Sequence, residues 1–329
     1  MDWRGRSVLV TGAGGFIGSH LAERLVQEDA QVRAFVRYNS RGDAGLLDLL
    51  PPITYSKLKI IGGDLGDAEA VRLAARGVDT VFHLGALVSI PYSYLHPREV
   101  IETNVVGTLN VLMATREFGT RRIVHTSTSE VYGTARYVPI DETHPLQGQS
   151  PYSASKIGAD KIAESFHKAF DLPVTTLRPF NTYGPRQSAR AVIPTIVTQA
   201  LTGEEVHLGR LEPARDFTFV SDTVDGFLRA AAAEGVVGKE VNLGTGVMVS
   251  IRDLVERISS LIGRELKIIE ETDRRRPDKS EVMRLQASTK KALDLLNWQP
   301  RVPLDDGLRI TIDWIADHIE HYRPGQYAI

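Results

Sequence analysis

The segment Val8-Leu-Val-Thr-Gly-Ala-Gly-Gly-Phe-Ile-Gly18 places an apolar run directly before three glycines that are spaced three residues apart. The apolar run is typical of a buried strand, and residues 19–27 that follow have a helical pattern. Gly12 permits a tight turn, Gly15 lets backbone N–H groups approach a pyrophosphate, and Gly18 lets the helix pack closely on the sheet. Because the helix N-terminus then faces the phosphates with its positive end, the segment predicts a dinucleotide site.

The composition is that of an ordinary soluble globular protein. The chain has 329 residues, of which 42% are hydrophobic and 24% charged, and its net charge is −2. The absence of cysteine excludes disulfides and thiolate chemistry and fits a reducing compartment. No apolar run approaches the roughly 18 residues of a membrane span, and no basic stripe extends beyond Arg274-Arg-Arg276. We therefore expect a cytoplasmic protein with no membrane or nucleic-acid partner, and no metal site is indicated.

Short apolar runs alternate with helical patterns in the order of an α/β doubly wound parallel sheet. The predicted strands of this part are residues 7–11, 31–36, 58–62, 80–84, 121–126 and 173–179. The predicted helices between them include residues 19–27, 68–75, 101–118 and 152–170. We expect a Rossmann-type domain over residues 1–180, to which later segments return.

The pattern becomes irregular after Phe180 and predicts a smaller α/β C-terminal cap over residues 181–329. Its predicted elements are a strand at 215–220, a helix at 221–233, a strand at 240–243 and helices at 251–262 and 304–321. The last helix carries Trp314 on its apolar face.

A second site feature is Ser150-Pro-Tyr152-Ser-Ala-Ser-Lys156, at the start of a helical pattern. Tyr152 and Lys156 are four residues apart and therefore lie on one face of the helix. An ammonium beside a phenol favours the phenolate, so the spacing predicts a tyrosine whose pKa is lowered from about 10. Such a tyrosine is a usable general base for a hydroxyl group.

These motifs resemble those of the extended short-chain dehydrogenase/reductase superfamily, and the resemblance covers nearly the whole chain. Further matches in the same order are Gly63-Asp64-Leu65, His83-Leu-Gly-Ala86, Asn104, Arg178-Pro-Phe-Asn181-Thr-Tyr-Gly-Pro-Arg186 and Arg215-Asp-Phe-Thr-Phe-Val220. The resemblance implies a Rossmann domain that binds NAD or NADP tightly and a cap that binds a nucleoside diphosphate sugar. The cofactor residues that it implies are Gly12, Gly15, Phe16, Ile17, Gly18, Asp64, Leu65, Leu84, Ala86, Asn104, Tyr152 and Lys156.

The reaction depends on Thr126-Ser-Thr128-Ser129-Glu130-Val-Tyr-Gly133. In the family that the chain resembles, the residue matching Thr128 hydrogen-bonds the sugar 4-hydroxyl while the tyrosine removes its proton and C4 is oxidised. Once C4 is a ketone, a carboxylate such as Glu130 can remove the C5 proton while the 6-hydroxyl departs as water. The resemblance therefore implies a 4,6-dehydratase, whose product is a 4-keto-6-deoxy sugar.

Three alternatives remain open at this point. A 4-epimerase needs the C4 oxidation alone, and UDP-glucuronate decarboxylases share the same Thr-Ser-Glu run. A cofactor-binding sensor that has lost catalysis is the non-enzyme alternative. Ser129 stands where dehydratases acting on dTDP-glucose have an aspartate, so Glu130 itself is the candidate for protonating the leaving hydroxyl.

Three sequence segments resemble those of the N-acetylhexosamine 4,6-dehydratases of bacterial legionaminic-acid-type pathways. They are Phe35-Val-Arg-Tyr-Asn-Ser-Arg41, Gln147-Gly-Gln-Ser-Pro-Tyr152 and Arg276-Pro-Asp-Lys-Ser-Glu-Val282. The resemblance implies UDP- or GDP-N-acetylglucosamine as the substrate and a role in cell-surface polysaccharide synthesis.

The end of the second predicted strand bears on the choice between NAD and NADP. An acidic residue there would bond the 2′-hydroxyl of NAD, whereas this strand ends in Arg37. Arg37, with Asn39 and Arg41 after it, offers donors and positive charge to a 2′-phosphate, which favours NADP modestly.

The substrate side needs donors for two phosphates. The candidates are Asn181, Arg186 and Arg215, with Arg276 near the base or ribose, and Ser129 beside the sugar. The segment 192–196 predicts a cap helix over the base. Uracil and guanine stay open as the base.

Residues 101–118 and 152–170 carry more apolar surface than one side of a sheet needs. In the family that the chain resembles, these helices pair across a two-fold axis into a four-helix bundle. We therefore expect a homodimer.

Overall fold

The computed structural model describes residues 2–322. Strands in this part of the chain are β1 Ser7–Thr11, β2 Gln31–Arg37, β3 Lys59–Gly63, β4 Thr80–His83, β5 Arg122–Thr126, β6 Val174–Pro179, β7 Asn181–Tyr183, β8 Glu205–Leu208, β9 Ala214–Phe219, β10 Glu240–Leu243, β11 Met248–Ser250 and β12 Lys267–Glu270. Seven of them form one sheet in the order β10-β6-β5-β4-β1-β2-β3. Every neighbouring pair in this sheet is parallel.

Helices in the same part of the chain are α1 Phe16–Gln27, α2 Pro52–Tyr55, α3 Ala68–Ala75, α4 Ile90–Leu95, α5 Pro97–Ile101, α6 Gly107–Glu117, α7 Pro151–Phe170, α8 Val192–Thr202, α9 Val220–Ala232, α10 Ile251–Ile262, α11 Lys290–Leu296 and α12 Leu304–Asp317.

Helices cover both faces of the large sheet. Val8 and Val10 of β1 pack into an apolar core that includes residues of α1 and α9. Leu9, between them, packs on the opposite face with residues of α3 and α6. Because successive strand residues point to opposite faces, a continuous apolar run is what a sheet buried on both sides requires. The α/β doubly wound Rossmann-type fold is confirmed.

The region after β6 contains two smaller sheets, one of β11-β9-β7 and one of β12-β8. It also contributes β10 to the edge of the large sheet, where Val241 pairs with Leu177. The main apolar core extends from the large sheet into this region without interruption. The boundary between two domains at residue 180 stays a prediction.

Two predicted helices differ from the structure. Residues 101–118 do not form one regular α-helix, because a π-helical turn, Glu102–Val106, joins α5 to α6. The helix predicted at 304–321 ends at Asp317 and is followed by a 3₁₀ turn, Ile319–Tyr322. Trp314 is partly buried against the main core, and its ring stacks on that of His318.

Helices within residues 2–322 include none that is both long enough and apolar enough to span a membrane.

Candidate active site

The glycine loop lies between β1 and α1, as the sequence predicts. Gly12 has a φ of +69°, and a Cβ there would lie 2.7 Å from the backbone of Gly85. A Cβ on Gly18 would lie 2.2 Å from the carbonyl oxygen of Gly12. Gly15 is the N-cap of α1 and has no side chain to bond the first N–H groups of the helix. These donors are therefore available to an anion.

A cleft of about 540 Å³ opens above this loop. Its volume falls in the range of small-molecule sites. The predicted cofactor residues that line it are Gly12, Gly15, Phe16, Ile17, Gly18, Arg37, Leu84, Ala86 and Tyr152. Residues outside the motifs quoted from the sequence also line it, among them Asp43, Ala44, Gly45 and Val88.

Four other predicted cofactor residues, Asp64, Leu65, Asn104 and Lys156, do not line this cleft. Asp64 is exposed and accepts a 2.7 Å hydrogen bond from the N–H of Gly66. Leu65 is buried among apolar side chains.

The amide of Asn104 holds backbone and side-chain groups together. Its oxygen accepts a hydrogen bond from the N–H of Leu87 at 2.7 Å, and its nitrogen donates to the Leu87 carbonyl and to Ser155 Oγ. These bonds occupy the amide within the protein, and the prediction that Asn104 contacts the cofactor stays a prediction. The residue ties the π-helical turn to α7.

Arg37 lies at the edge of the cleft with most of its side chain exposed. Its Nε is 4.0 Å from an Asp64 carboxylate oxygen, and its Nη2 is 3.4 Å from Glu99 Oε1. Both carboxylates would compete with a 2′-phosphate for this guanidinium. The positive charge predicted for NADP is present, but it is partly neutralised.

Tyr152 is buried on α7 and lines the same cleft as Arg37. Its phenol is hydrogen-bonded to the side chain of Thr128, which caps the short 3₁₀ helix Ser129–Tyr132. Burial raises the pKa of Tyr152 above its usual value, the charges of Glu130 and Asp160 add to the rise, and the Thr128 hydrogen bond opposes it. The lowered phenol pKa expected from Lys156 is therefore not what the protein alone produces, because desolvation of the phenolate outweighs it.

Lys156 is buried one helical turn after Tyr152. Burial lowers the pKa of its ammonium to about 8, and the nearby carboxylate of Asp160 opposes this decrease. The structure thus brings Tyr152, Lys156 and Thr128 together as the motif predicts.

Glu130 lines neither the cleft nor the cationic cavity next to it, but it lies close to Tyr152 and to the arginines of that cavity. Its carboxylate is 3.8 Å from Arg276 Nη1 and interacts electrostatically with Tyr152 and Arg215. Only 14% of its side chain is exposed. Glu130 is therefore a shielded carboxylate between the phenol and two arginines.

The cationic cavity has a volume of about 460 Å³ and adjoins the first cleft, since Phe16, Val88 and Thr182 line both. Arginines dominate its polar surface. Its polar and charged lining includes Asn181, Ser188, Arg190, His207, Arg210, Arg215, Arg274, Arg276 and Glu281. The sequence predicted Asn181, Arg215 and Arg276 of this set.

Three of these side chains have buried atoms with no hydrogen-bond partner among residues 2–322, namely Asn181 Oδ1, Arg210 Nε and Arg276 Nη1. Arg215 is buried and pairs with Glu281 at 3.3 Å. A buried polar atom without a partner is costly, so a ligand with complementary groups would bind here favourably.

Two predicted substrate residues lie elsewhere. Arg186 lines neither cavity, because its guanidinium donates to Glu23 at 2.5 Å and to His20 at 2.6 Å on α1. Ser129 is buried in the 3₁₀ helix and also lines neither cavity. The structure thus places both side chains outside the two cavity linings, and their role in substrate binding stays a prediction.

Comparison with known proteins places this arrangement in a family. Residues 9–311 match the family described as GDP-mannose 4,6 dehydratase. The chain is 33% identical to a UDP-glucose 4-epimerase of Mycolicibacterium smegmatis, covering 94% of this chain and 98% of the relative. It is also 33% identical to a dTDP-glucose 4,6-dehydratase of Xanthomonas campestris pv. campestris, covering 93% and 92%.

A solved structure shows the same architecture. It is the dTDP-glucose 4,6-dehydratase DesIV from Streptomyces venezuelae with NAD bound, at a TM-score of 0.86 and 29% identity over 96% of this chain and 99% of that chain. The glycine loop, the helix that carries Tyr152 and Lys156, and this match over nearly the whole chain all indicate the same family. The chain belongs to the GDP-mannose 4,6 dehydratase family of extended short-chain dehydrogenases/reductases.

Proposed function

We propose that this protein is a nucleotide-sugar 4,6-dehydratase, with UDP- or GDP-N-acetylglucosamine as the expected substrate. The observation that carries the proposal is the position of Glu130. A simple 4-epimerase has no use for a shielded carboxylate beside the catalytic phenol, whereas elimination across C5 and C6 requires a base.

The cleft above the glycine loop fits a nicotinamide dinucleotide. The loop offers close backbone approach at Gly12 and Gly15, and the N-terminus of α1 points into the cleft. Leu84 and Ala86 line the part of the cleft after β4. When bound, the dinucleotide would accept a hydride from C4 and return it to C6.

The chain's own residues carry the proton transfers at C4. In its phenolate form, beside the ammonium of Lys156, Tyr152 takes the proton of the 4-hydroxyl, and Thr128, which is hydrogen-bonded to the phenol, orients that hydroxyl. Lys156 supplies positive charge one helical turn away. Because these groups are buried, electrostatic effects among them are stronger than they would be in water.

Glu130 then acts on the 4-keto sugar. Its carboxylate takes the C5 proton, the C5–H electron pair forms the C5=C6 double bond, and the C6–O bond breaks. Ser129 has a hydroxyl group and no carboxyl group, so it is a much weaker acid than the protonated form of Glu130. We therefore assign to Glu130 the return of this proton to the departing 6-hydroxyl, which leaves as water. Once a hydride has returned to C6, C5 would take a proton from solvent, which completes the 4-keto-6-deoxy sugar.

The second cavity would hold the nucleoside diphosphate. Arg215 and Arg276 supply positive charge to the phosphates, and Asn181 supplies a further polar group. Charge-assisted bonds to phosphate would satisfy the buried Arg276 Nη1. The first residue of α8, Val192, also lines this cavity, in agreement with the proposed cap helix over the base.

Two of the sequence segments that resemble those of N-acetylhexosamine dehydratases lie at these cavities. Val36, Arg37 and Asn39 line the dinucleotide cleft, and Arg276 and Glu281 line the cationic cavity. Their placement next to both ligands supports the narrower substrate proposal. The cofactor would be NADP or NAD, with Arg37 favouring NADP.

A 4-epimerase is the second candidate, and the Mycolicibacterium smegmatis relative favours it. A UDP-glucuronate decarboxylase would share the same C4 oxidation. A panel of nucleotide sugars analysed by mass spectrometry distinguishes the three enzymes. Loss of water supports the proposal, loss of carbon dioxide indicates the decarboxylase, and a converted sugar of unchanged mass indicates the epimerase. Absence of turnover on every sugar would favour the non-catalytic sensor.

We also propose a homodimer. Exposed apolar side chains lie along the segment from α5 to α6 and at the end of α7, where a two-fold bundle would cover them. They are Ile101, Val106, Met113 and Phe170. Light scattering should give twice the mass of one chain.

A further inference from the structure

A row of buried polar side chains crosses the large sheet beneath the catalytic helix. Its members come from neighbouring strands, namely Thr11, His83, His125, Arg178 and Asn242. Thr11 Oγ1 and His83 Nδ1 are 2.8 Å apart, and the His83 and His125 rings stack at 5.7 Å. Buried polar groups cost free energy unless they are hydrogen-bonded or ion-paired. The partners of these side chains therefore indicate which functional group the row holds in place.

The carboxylate of Asp160 on α7 is the anion of this row. It accepts hydrogen bonds from Ser127 Oγ at 2.8 Å, from His125 Nε2 at 3.1 Å and from Nε and Nη2 of Arg178. Burial raises the pKa of this carboxyl, but the His125 hydrogen bond and the charges of Arg178 and Lys156 outweigh it and hold the pKa below its usual range. Asp160 is therefore ionised and fixed from three sides.

Arg178, the main counter-charge, is itself fixed. Its Nη1 donates to the hydroxyl of Tyr132 at 3.0 Å, and that hydroxyl donates to Asn242 Oδ1 at 2.7 Å. Asp160 thus has a fixed position at the point where the catalytic helix crosses β5 and β6.

Lys156 lies one helical turn before Asp160 and one turn after Tyr152. Its charge also acts on two buried histidines, His83 on β4 and His125 on β5. Burial, with the charge of Lys156, lowers the pKa of both histidines, so both rings are neutral. Asp160 is therefore the charge that supports the ammonium within residues 2–322.

We propose that Asp160 is a positioning residue, whose buried carboxylate keeps Lys156 in its charged form next to Tyr152. A neutral amine at this position would offer no positive charge to the phenolate. This role rests on the proposed C4 oxidation, but not on whether dehydration or epimerisation follows.

The test is the pH profile of kcat/KM for Asp160→Asn, with the substrate that the panel identifies. Without the carboxylate, Lys156 loses its proton at lower pH, so the alkaline limb of the profile moves to lower pH. Asp160 also raises the pKa of Tyr152, so its removal moves the acidic limb down as well. Both limbs should move by about one pH unit. A folded Asp160→Asn protein whose limbs do not move, whatever its rate, overturns the proposal.

Two control variants separate charge from packing. Asp160→Glu keeps the charge and should keep both limbs of the profile, even where kcat falls. Ser127→Ala removes one hydrogen bond to Asp160 without changing its charge and should also keep them. Limbs that move as far in these variants as in Asp160→Asn would contradict the proposal.

A measurement on the parent protein needs no change at Asp160 and no turnover. With ¹⁵N-labelled lysine, and Lys156→Arg to assign the signal, the Nζ resonance of Lys156 should report an ammonium at pH 7. A neutral amine at pH 7 would overturn the proposal. The mass of the product tests the proposed dehydration separately, so the two claims can fail independently.

Discussion

At the scale of single residues, the site depends on a phenol that the protein alone keeps protonated. Burial raises the pKa of Tyr152, and only the Thr128 hydrogen bond is resolved as lowering it. Tyr152 is buried and lines the cleft, and its hydroxyl is hydrogen-bonded to Thr128. The phenolic oxygen can therefore be removed with little effect on packing.

Tyr152→Phe should fold and bind cofactor as the parent does, but its turnover should fall by about 10²–10⁴, the usual contribution of a general base. Steady-state kinetics with the identified substrate measures the loss. Tyr137→Phe, which changes a tyrosine with 42% exposure, is the matched control and should leave the rate unchanged. Activity of Tyr152→Phe within a few-fold of the parent would refute the assignment.

Arg37→Ala should weaken NADP more than NAD, by about tenfold in the ratio of dissociation constants, because only the 2′-phosphate makes a charge-assisted bond with it. Glu99→Gln should have the opposite effect, since it removes a carboxylate that lies 3.4 Å from the guanidinium. Calorimetric titration with both cofactors measures the ratio. An equal loss for both cofactors in Arg37→Ala would mean that the side chain is structural.

At the scale of elements, α1 is tied to the segment after β7 by a buried polar contact. His20 Nε2 donates to the carbonyl of Pro185, so its Nδ1 is free to accept from Arg186, which also pairs with Glu23. The sequence motif around Arg186 predicted that this arginine binds phosphate. The motif does not show that α1 places the carboxylate of Glu23 beside it. The contact with Glu23, which lies far away in the sequence, therefore bears on what Arg186 can bind.

This contact predicts a pH dependence of stability. Burial and the charge of Arg186 lower the pKa of His20 to about 3, whereas the unfolded chain takes up this proton near 6.5. Below pH 6.5 the unfolded state therefore binds more protons, and the free energy of unfolding falls as pH drops. The contribution of one such histidine is at most about 1.4 kcal/mol per pH unit.

Denaturant unfolding between pH 7.5 and 5 tests this dependence. His20→Gln keeps one donor and one acceptor but cannot be protonated, so its stability should fall less steeply than that of the parent. His321→Gln, at an exposed position, is the control and should keep the parent slope. Equal slopes for His20→Gln and the parent would contradict the assigned pKa.

At the scale of the whole molecule, two cavities adjoin at Phe16, Val88 and Thr182, and Thr128 and Tyr152 line the first of them. The sequence predicted the sheet and the glycine loop because their signals are local, a continuous apolar run followed by glycines at fixed spacing. It did not predict the Asp160–Arg178 pair, which joins residues 18 positions apart on α7 and β6. It also missed the π-helical turn around Asn104, since hydrophobic periodicity does not distinguish π from α geometry over one turn.

The central claim is that Glu130 removes the C5 proton, and isotope exchange in D₂O tests it most directly. The parent should give a product that is lighter by one water and carries solvent deuterium at C5. Glu130→Gln keeps the side-chain shape without the basicity, so C4 oxidation should proceed and then stop. Reduced nicotinamide should then accumulate, as seen by absorbance, and C5 should gain no deuterium. Normal turnover of Glu130→Gln, or a parent product without deuterium at C5, would contradict the elimination and favour a 4-epimerase.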